Sequence, residues 1–259
     1  MESISRNPEF VIVPGAWHSP ESFKPTTDIL QAKGYKVHGI YLKSVGASPP
    51  LEDFQPDVEV IRNTIESLLA KSTPIILIYH SYGGTVGSEA LSSYLKTLPP
   101  STTPSSPYGL IRRLIYITAF VFPRGTSLMS TLGYKPAPGT VVSDDSTVTR
   151  CVDPYADLYH DIPRAEAGKY IDMLKDHSYK TFDSPVEAEP WRFIPSTYIA
   201  CENDRAIPLA AQLGMIARAQ EMAEGSFDTI ERTNSGHSPF ISQPEWLAEK
   251  LIKAAESSV

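Results

Sequence analysis

"IILIYHSYGGTVG", residues 75–87, joins a continuous apolar run to a serine and two glycines. A short apolar run without polar alternation is typical of a parallel strand that is covered on both faces. Ser81 follows the strand, and Gly83 and Gly84 allow a helix to start at once and to pack closely. The pattern resembles a nucleophile elbow, Gly-x-Ser-x-Gly, except that Tyr79 stands in the place of the first glycine.

Strand and helix patterns alternate on both sides of this stretch. Strands are predicted over residues 10–13, 36–42, 74–79, 113–120, 196–201 and 227–232. Helices are predicted over residues 21–33, 57–70, 83–98, 208–223 and 244–255. This alternation predicts an α/β fold with a mostly parallel sheet of about six strands and helices on both faces.

Residues 123–190 interrupt the alternation. They hold many prolines and tyrosines, an amphipathic stretch over residues 164–174 and no clear strand. We therefore expect residues 1–122 and 191–259 to form the core and residues 123–190 to be an inserted cap. The Pro- and Ser-rich stretch at residues 99–109 is interpreted as a surface loop, because the alternation resumes directly after it.

Composition narrows the classes of partner. The net charge is −7 and Lys and Arg do not cluster, so neither nucleic acid nor an acidic membrane surface is an expected partner. No apolar run approaches the roughly 20 residues that span a bilayer, and residues 1–9 lack the apolar segment of a signal peptide. Cys151 and Cys201 lack metal-ligand spacing; we expect free thiols, no metal and a cytoplasmic location, with one disulfide as the alternative.

Residues with catalytic chemistry lie in the loops that follow the predicted strands. The loops are PGAWH, HSYGG, ENDRAIP and NSGHSPF, and sites in open parallel sheets form at the carboxyl ends of strands. Three of these loops carry Ser81, Asp204 and His237, in the chain order serine, acid, histidine. A serine hydroxyl needs an adjacent base; His237 can exchange its proton, and Asp204 can orient the imidazole.

The oxyanion of a tetrahedral intermediate needs two N–H donors. The residue after the nucleophile, Tyr82, can supply one, and Ala16 in the loop after the first strand can supply the other. Simpler interpretations remain open at this stage: Ser81 in a plain turn, and His237 as a loop histidine with a backbone hydrogen bond. Glu202 and Asp228 are rivals to Asp204 as the acid.

Four stretches together resemble the α/β-hydrolase superfamily: FVIVPGAWHSPESF, IILIYHSYGG, STYIACENDRAIP and SGHSPFISQPEWLAEKL. They look most like its small plant and fungal branch of methylesterases and hydroxynitrile lyases, from about residue 9 to the C-terminus. The resemblance implies a cofactor-free enzyme with Ser81, His237 and Asp204 as its triad. Hydroxynitrile lyases of this branch usually carry lysine and threonine where this chain has Ser238 and Gly15, so the resemblance favours hydrolysis.

Candidate substrate contacts are less well defined. Trp17 and His18 either line the pocket or pack the loop, and His80 is interpreted as a structural neighbour of the nucleophile. Apolar residues near or within the cap could form a pocket or ordinary cap core, and the substrate-binding candidates among them are Phe120, Phe122, Met129 and Trp191. The acidic stretch VSDDS, residues 142–146, is interpreted as a solvated loop.

The sequence predicts a cofactor-independent serine hydrolase that cleaves a carboxylic ester, lactone or thioester of a small, mostly apolar molecule. Two alternatives stay open: a lyase or carbon–carbon bond-cleaving enzyme that uses the same triad, and a small-molecule receptor. The expected partner is the small-molecule substrate, and a homodimer is also compatible with the sequence.

Overall fold

The computed structural model describes residues 7–99, 101–102 and 109–257. Most of the Pro- and Ser-rich loop predicted at residues 99–109, and residues 1–6 of the polar N-terminal segment, lie outside the described residues. No helix among the described residues is long and apolar enough to cross a membrane.

The strands are, in chain order, β1 (Glu9–Val13), β2 (Val37–Gly39), β3 (Ile75–His80), β4 (Ile111–Ile117), β5 (Thr140–Val142), β6 (Val148–Cys151), β7 (His177–Ser178), β8 (Ser196–Cys201) and β9 (Thr229–Thr233). Six of them form a parallel sheet in the order β2-β1-β3-β4-β8-β9. The predicted parallel sheet of about six strands is therefore confirmed.

The α-helices are α1 (Lys24–Ala32), α2 (Gln55–Leu69), α3 (Gly83–Ala90), α4 (Ser92–Leu95), α5 (Leu128–Thr131), α6 (Pro154–Leu158), α7 (Arg164–Ile171), α8 (Leu209–Met222), α9 (Pro239–Ser242) and α10 (Pro244–Glu256). Single 3-10 turns cover Pro20–Phe23, Tyr179–Asp183 and Pro190–Arg192. The helix predicted over residues 83–98 is interrupted at Leu91, which separates α3 from α4.

Strand β3 shows why its sequence is apolar without interruption. All of its residues are buried, because side chains alternate between the two faces of the sheet and helices cover both faces. Leu77 and Tyr79 pack in the core cluster that includes α2, α3 and α8, while Ile76 and Ile78 pack in the cluster that includes α1 and α10. Burial of each isoleucine contributes about 1.5–3 kcal/mol, so this strand anchors the turn that follows it.

The expectation of no strand within residues 123–190 is wrong. Strands β5, β6 and β7 form a small antiparallel sheet, and Val45 makes an isolated bridge to His177. These strands span only two to four residues each, too few for a period-two pattern to stand out. The VSDDS stretch forms the turn between β5 and β6, where Asp145 accepts hydrogen bonds from Ser143 and Thr147.

Candidate active site

Ser81 lies at a sharp turn between strand β3 and helix α3. Its φ angle is +51°, a left-handed conformation that is uncommon for a residue other than glycine. The two glycines after it are required by close backbone contacts. A Cβ on Gly83 would lie 2.3 Å from the Val13 carbonyl oxygen, and a Cβ on Gly84 would lie 2.3 Å from that of Phe120. The local backbone is therefore strained and tightly enclosed, as is common at functional sites.

His237 and Asp204 form a buried hydrogen-bonded pair. His237 Nδ1 lies 2.8 Å from Asp204 Oδ2, and both side chains are almost completely buried. A carboxylate oxygen can only accept a hydrogen bond, so the imidazole carries its proton on Nδ1. This tautomer leaves the lone pair on Nε2, which is the form that can take a proton from a hydroxyl group.

The Asp204 carboxylate is held by further donors. The amides of Ala206 and Ile207 donate to Oδ1 at 2.8 and 2.9 Å, and the Thr118 hydroxyl donates to Oδ2. Thr118 directly follows strand β4 and has a φ angle of +37°. These contacts fix the orientation of the carboxylate toward His237.

The two rival acids have other partners. Glu202 pairs with Arg232 at 2.8 Å, and Asp228 pairs with Arg113 at 2.6 Å. Among the described residues, neither makes a hydrogen bond to His237. The geometry therefore associates His237 with Asp204 alone of the three candidates.

Ser81 and His237 line the same cavity, which has a volume of about 60 Å³. In the part of the chain that the structure describes, no hydrogen bond joins the Ser81 hydroxyl to His237. Such bonds are often long or misaligned in the absence of substrate, and a hydroxyl rotates freely. The cavity thus exposes the serine and the histidine to the same ligand.

The loop after strand β1 lies directly against Ser81. A Cβ on Gly15 would lie only 2.8 Å from Ser81 Cβ, and Trp17 has a φ angle of +65°. The loop is hydrogen-bonded to residues from the 123–190 range: Trp17 Nε1 donates to the Thr149 carbonyl at 2.9 Å, and the Lys175 amide donates to the Trp17 carbonyl at 3.1 Å.

The two predicted oxyanion donors are backbone amides of residues that line the cavity with Ser81. Among the described residues, neither the Ala16 amide nor the Tyr82 amide has a hydrogen-bond acceptor, and both residues line the cavity with Ser81. Tyr82 also precedes helix α3, whose N-terminal end is favourable for negative charge. The predicted oxyanion donors are therefore placed in the same cavity as the serine.

Two further histidines are buried behind this site in neutral form. Burial lowers the pKa of His18 to about 4 and, with the nearby His237 ring, holds the pKa of His80 well below its usual range. His18 Nδ1 donates to the Ala16 carbonyl at 2.8 Å, and its Nε2 accepts from the Tyr159 hydroxyl at 2.8 Å. His80 Nε2 donates to the His237 carbonyl at 3.0 Å. Both histidines support the backbone of the site.

A second cavity, of about 420 Å³, adjoins the first. The two share six wall residues: Phe120, Leu128, Ala137, Pro138, Ala206 and Ile207. Of the predicted substrate contacts, Trp17 and Phe120 line the first cavity, and Phe120 and Phe122 line the second.

Three of the predicted substrate contacts are placed away from the two cavities. His18, Met129 and Trp191 lie outside the linings of both cavities. The ring of His18 is hydrogen-bonded to Ala16 and Tyr159, and the side chains of Met129 and Trp191 are buried in the core. Their apolar character reflects packing, which sequence alone does not distinguish from a pocket wall.

Sequence reasoning did not identify three polar residues around the site. Thr118 holds Asp204, Asp157 lines the first cavity, and Asp161 accepts from the Gly236 amide at 2.7 Å and from the Ser235 hydroxyl at 3.0 Å. Thr118 could have been found, because it follows a strand at the carboxyl edge of the sheet. The two aspartates lie within residues 123–190, where no local pattern marks them.

Known proteins resemble this chain over nearly its whole length. A family model described as "Alpha/beta hydrolase family" matches residues 10–250. The alpha/beta hydrolase nvfD of Aspergillus novofumigatus is 31% identical over 256 residues, covering 97% of this chain and 98% of that protein. Structures of the pyrethroid hydrolase PytH and of polyneuridine aldehyde esterase superpose with TM-scores of 0.74 and 0.75. They are 20% and 16% identical and cover 96% of this chain and 98% and 99% of theirs.

Proposed function

This chain belongs to the alpha/beta hydrolase family, and we propose that it is a serine hydrolase that cleaves carboxylic esters of small, mostly apolar molecules. The observation that carries the proposal is the strained Ser81 in one cavity with His237, whose Nδ1 is bound to Asp204. A serine, a base with a free Nε2 and a fixed carboxylate are the parts that nucleophilic acyl transfer needs.

In the first step Ser81 Oγ attacks the carbonyl carbon of the substrate, and its proton passes to Nε2 of His237. Asp204 stabilises the imidazolium that forms. The amides of Ala16 and Tyr82 donate to the oxyanion of the tetrahedral intermediate. His237 then gives the proton to the leaving alcohol, and the acyl group remains on Ser81.

In the second step water attacks the acyl-enzyme. His237 accepts a proton from the water, and the same two amides stabilise the second oxyanion. Collapse of this intermediate releases the carboxylic acid and returns the proton to Ser81. The net reaction converts an ester and water into a carboxylic acid and an alcohol, and side chains of this protein carry out every proton transfer.

Two residues favour hydrolysis over cyanohydrin cleavage. Gly15 stands where hydroxynitrile lyases of the plant and fungal branch usually carry threonine. Any Cβ at this position would lie 2.8 Å from Ser81 Cβ and 2.9 Å from His80 Nδ1. Ser238, at the position of the usual lysine, is fully buried and adds no cation beside His237. A lyase reaction on this triad would lack both groups.

We also propose that residues 123–190 act as a cap. They supply much of the first cavity's wall, through Leu128, residues 137–140, Cys151, Asp157, Leu158 and Phe182. The apolar second cavity, which shares six wall residues with the first, can accept one arm of the substrate. A small ester with an apolar arm fits this arrangement better than a polymer.

The test is covalent labelling with a fluorophosphonate probe, followed by intact mass. We expect stoichiometric labelling of the wild type and none of Ser81→Ala. The matched control is Ser93→Ala, which removes an exposed serine in helix α4 and should label like the wild type. His237→Ala and Asp204→Asn should label more slowly, because each weakens activation of Ser81.

Turnover of a panel of methyl esters, aryl esters and lactones follows the labelling. Hydrolysis that disappears in Ser81→Ala supports the proposal. A folded wild type that resists the probe and hydrolyses no ester contradicts it, and then the lyase and receptor alternatives take its place.

A further inference from the structure

One carboxylate interrupts the apolar wall of the cavity that contains Ser81. Asp157, in helix α6, lines this cavity together with Ser81 and His237. Most of the remaining wall is apolar, with residues such as Ala16, Leu128, Pro138 and Ile207. The proposed mechanism gives Asp157 no role, because His237 already has its acid in Asp204.

The contacts of Asp157 leave acceptor capacity unused. Its carboxylate accepts a weak hydrogen bond from the Cys151 thiol, at 3.7 Å, and packs so close to Gly139 that a Cβ there would lie 2.4 Å from Oδ2. Burial, with the charge of Asp157, raises the pKa of the Cys151 thiol to about 12, so the thiol remains a donor. No cation among the described residues lies within ion-pair distance of Asp157.

A carboxylate has about four acceptor sites, and one thiol satisfies only one of them weakly. An apolar substrate that fills the cavity would strip water from the carboxylate, which costs free energy unless the substrate supplies a donor. We propose that Asp157 is a specificity residue that binds a hydroxyl group, alcoholic or phenolic, on the substrate of the proposed hydrolase. The inference rests on that proposed function and names its substrate class: hydroxylated, otherwise apolar esters.

A hydroxyl group fits the site better than an ammonium group. A substrate cation in this cavity would stand near His237 and oppose the imidazolium that forms during acyl transfer. It would also have to lose its hydration in a mostly apolar cavity, a cost that one carboxylate seldom offsets. A neutral hydroxyl donates to Asp157 without either penalty.

The test compares ring-substituted methyl 3-phenylpropanoates: the ortho, meta and para hydroxy esters, the matching methoxy and aminomethyl esters, and the unsubstituted parent. In the wild type, we expect at least one hydroxy ester to have a kcat/KM roughly tenfold or more above that of the unsubstituted parent, and also above that of the methoxy ester with the same ring position. A ratio of this size is what a hydrogen bond to a charged group contributes. In Asp157→Leu that ratio should fall to about one, and in Asp157→Asn to an intermediate value, because the amide keeps one acceptor oxygen.

Asp172→Leu is the matched control, because it removes an exposed aspartate at the end of helix α7 outside the cavity, and it should keep the wild-type ratio. The inference is overturned by any of three results: no preferred hydroxy isomer, a preference that survives in Asp157→Leu, or a stronger preference for an aminomethyl ester. Fluorophosphonate labelling of each variant separates the two proposals. A labelled enzyme that hydrolyses the parent ester without hydroxyl preference refutes only the inference, whereas a folded wild type that is not labelled and hydrolyses no ester refutes the proposed function.

Discussion

The aromatic ring of Tyr79 occupies the space that a side chain on Gly87 would fill. A Cβ on Gly87 would lie 2.3 Å from Tyr79 Cε1, and the Tyr79 hydroxyl donates to the Gly87 carbonyl at 3.1 Å. Tyr79 therefore points from strand β3 into helix α3 and away from the Ser81 turn. Tyr79 replaces the first glycine of the elbow pattern, and Gly87 in helix α3 leaves the space that the tyrosine ring needs.

The first prediction tests this pair. Gly87→Ala should destabilise the protein by about 1–3 kcal/mol, because the fully buried Tyr79 cannot yield to the added methyl group. Gly214→Ala is the control, since Gly214 also lies within a helix but has nothing within 4 Å of its Cβ position. That change should be neutral or stabilise by up to about 1 kcal/mol through helix propensity. Urea unfolding measures both, and equal effects of the two substitutions would refute the packing argument.

Much of the fold was predictable because its signals are local. The apolar run of β3 and the alternation of strands and helices predicted the parallel sheet, and the family resemblance read from the loops after β1, β3, β8 and β9 is confirmed by the family match. Strand ends are also where Ser81, Asp204 and His237 lie, so their chain order was visible without a structure.

The remainder depended on contacts between distant residues. Asp161 lies 75 positions from Gly236, and Thr118 lies 86 from Asp204, so no sequence window contains either pair. The strands of the small sheet are too short to show a period. Trp191 and Phe120 are both aromatic, yet one packs in the core and the other lines the cavities.

The second prediction concerns Thr118, which acts on His237 only through Asp204. Thr118→Val keeps the shape but removes the hydroxyl that donates to Asp204 Oδ2. The carboxylate, with one donor fewer, should stabilise a proton on His237 more strongly, so the acid limb of the kcat/KM profile should move to higher pH. Thr118→Ser should restore the wild-type profile. A lower activity without any change in the pH profile would mean that Thr118 has only a structural role.

The third prediction concerns Asp161, which is hydrogen-bonded to the loop that carries His237. Asp161→Ala leaves the Gly236 amide without its acceptor and removes one of the contacts of the Ser235 hydroxyl, which also contacts the Gly236 carbonyl and the Ser242 hydroxyl. Loss of a charged hydrogen bond of about 1.5–3 kcal/mol should lower kcat roughly tenfold or more, and Asp161→Asn should retain part of the activity. Stopped-flow ester hydrolysis measures kcat and KM separately. An effect confined to KM would contradict a positioning role, and Asp172→Ala is the surface control.

The last prediction concerns the buried histidines and the stability of the protein in mild acid. Burial lowers the pKa of His18 to about 4 and that of His177 to about 3, and it holds the pKa of His80 well below its usual range. Near pH 6.5 and below, the unfolded chain takes up protons at these residues while the folded chain does not, so the free energy of unfolding should fall as the pH falls. Each such proton contributes about 1.4 kcal/mol per pH unit once the unfolded histidine is protonated.

Urea unfolding at pH 7.0, 6.0 and 5.5 measures this dependence before most carboxylates begin to titrate. His177→Gln should reduce the slope of the free energy of unfolding against pH by up to about 1.4 kcal/mol per pH unit, even if it lowers stability at every pH. The reason is that the substitution removes a side chain that takes up a proton only in the unfolded chain. An unfolding free energy that stays constant between pH 7.0 and 5.5 would show that the buried histidines are protonated in the folded state, and the neutral hydrogen-bond pattern around His18 and His80 would have to be reassigned.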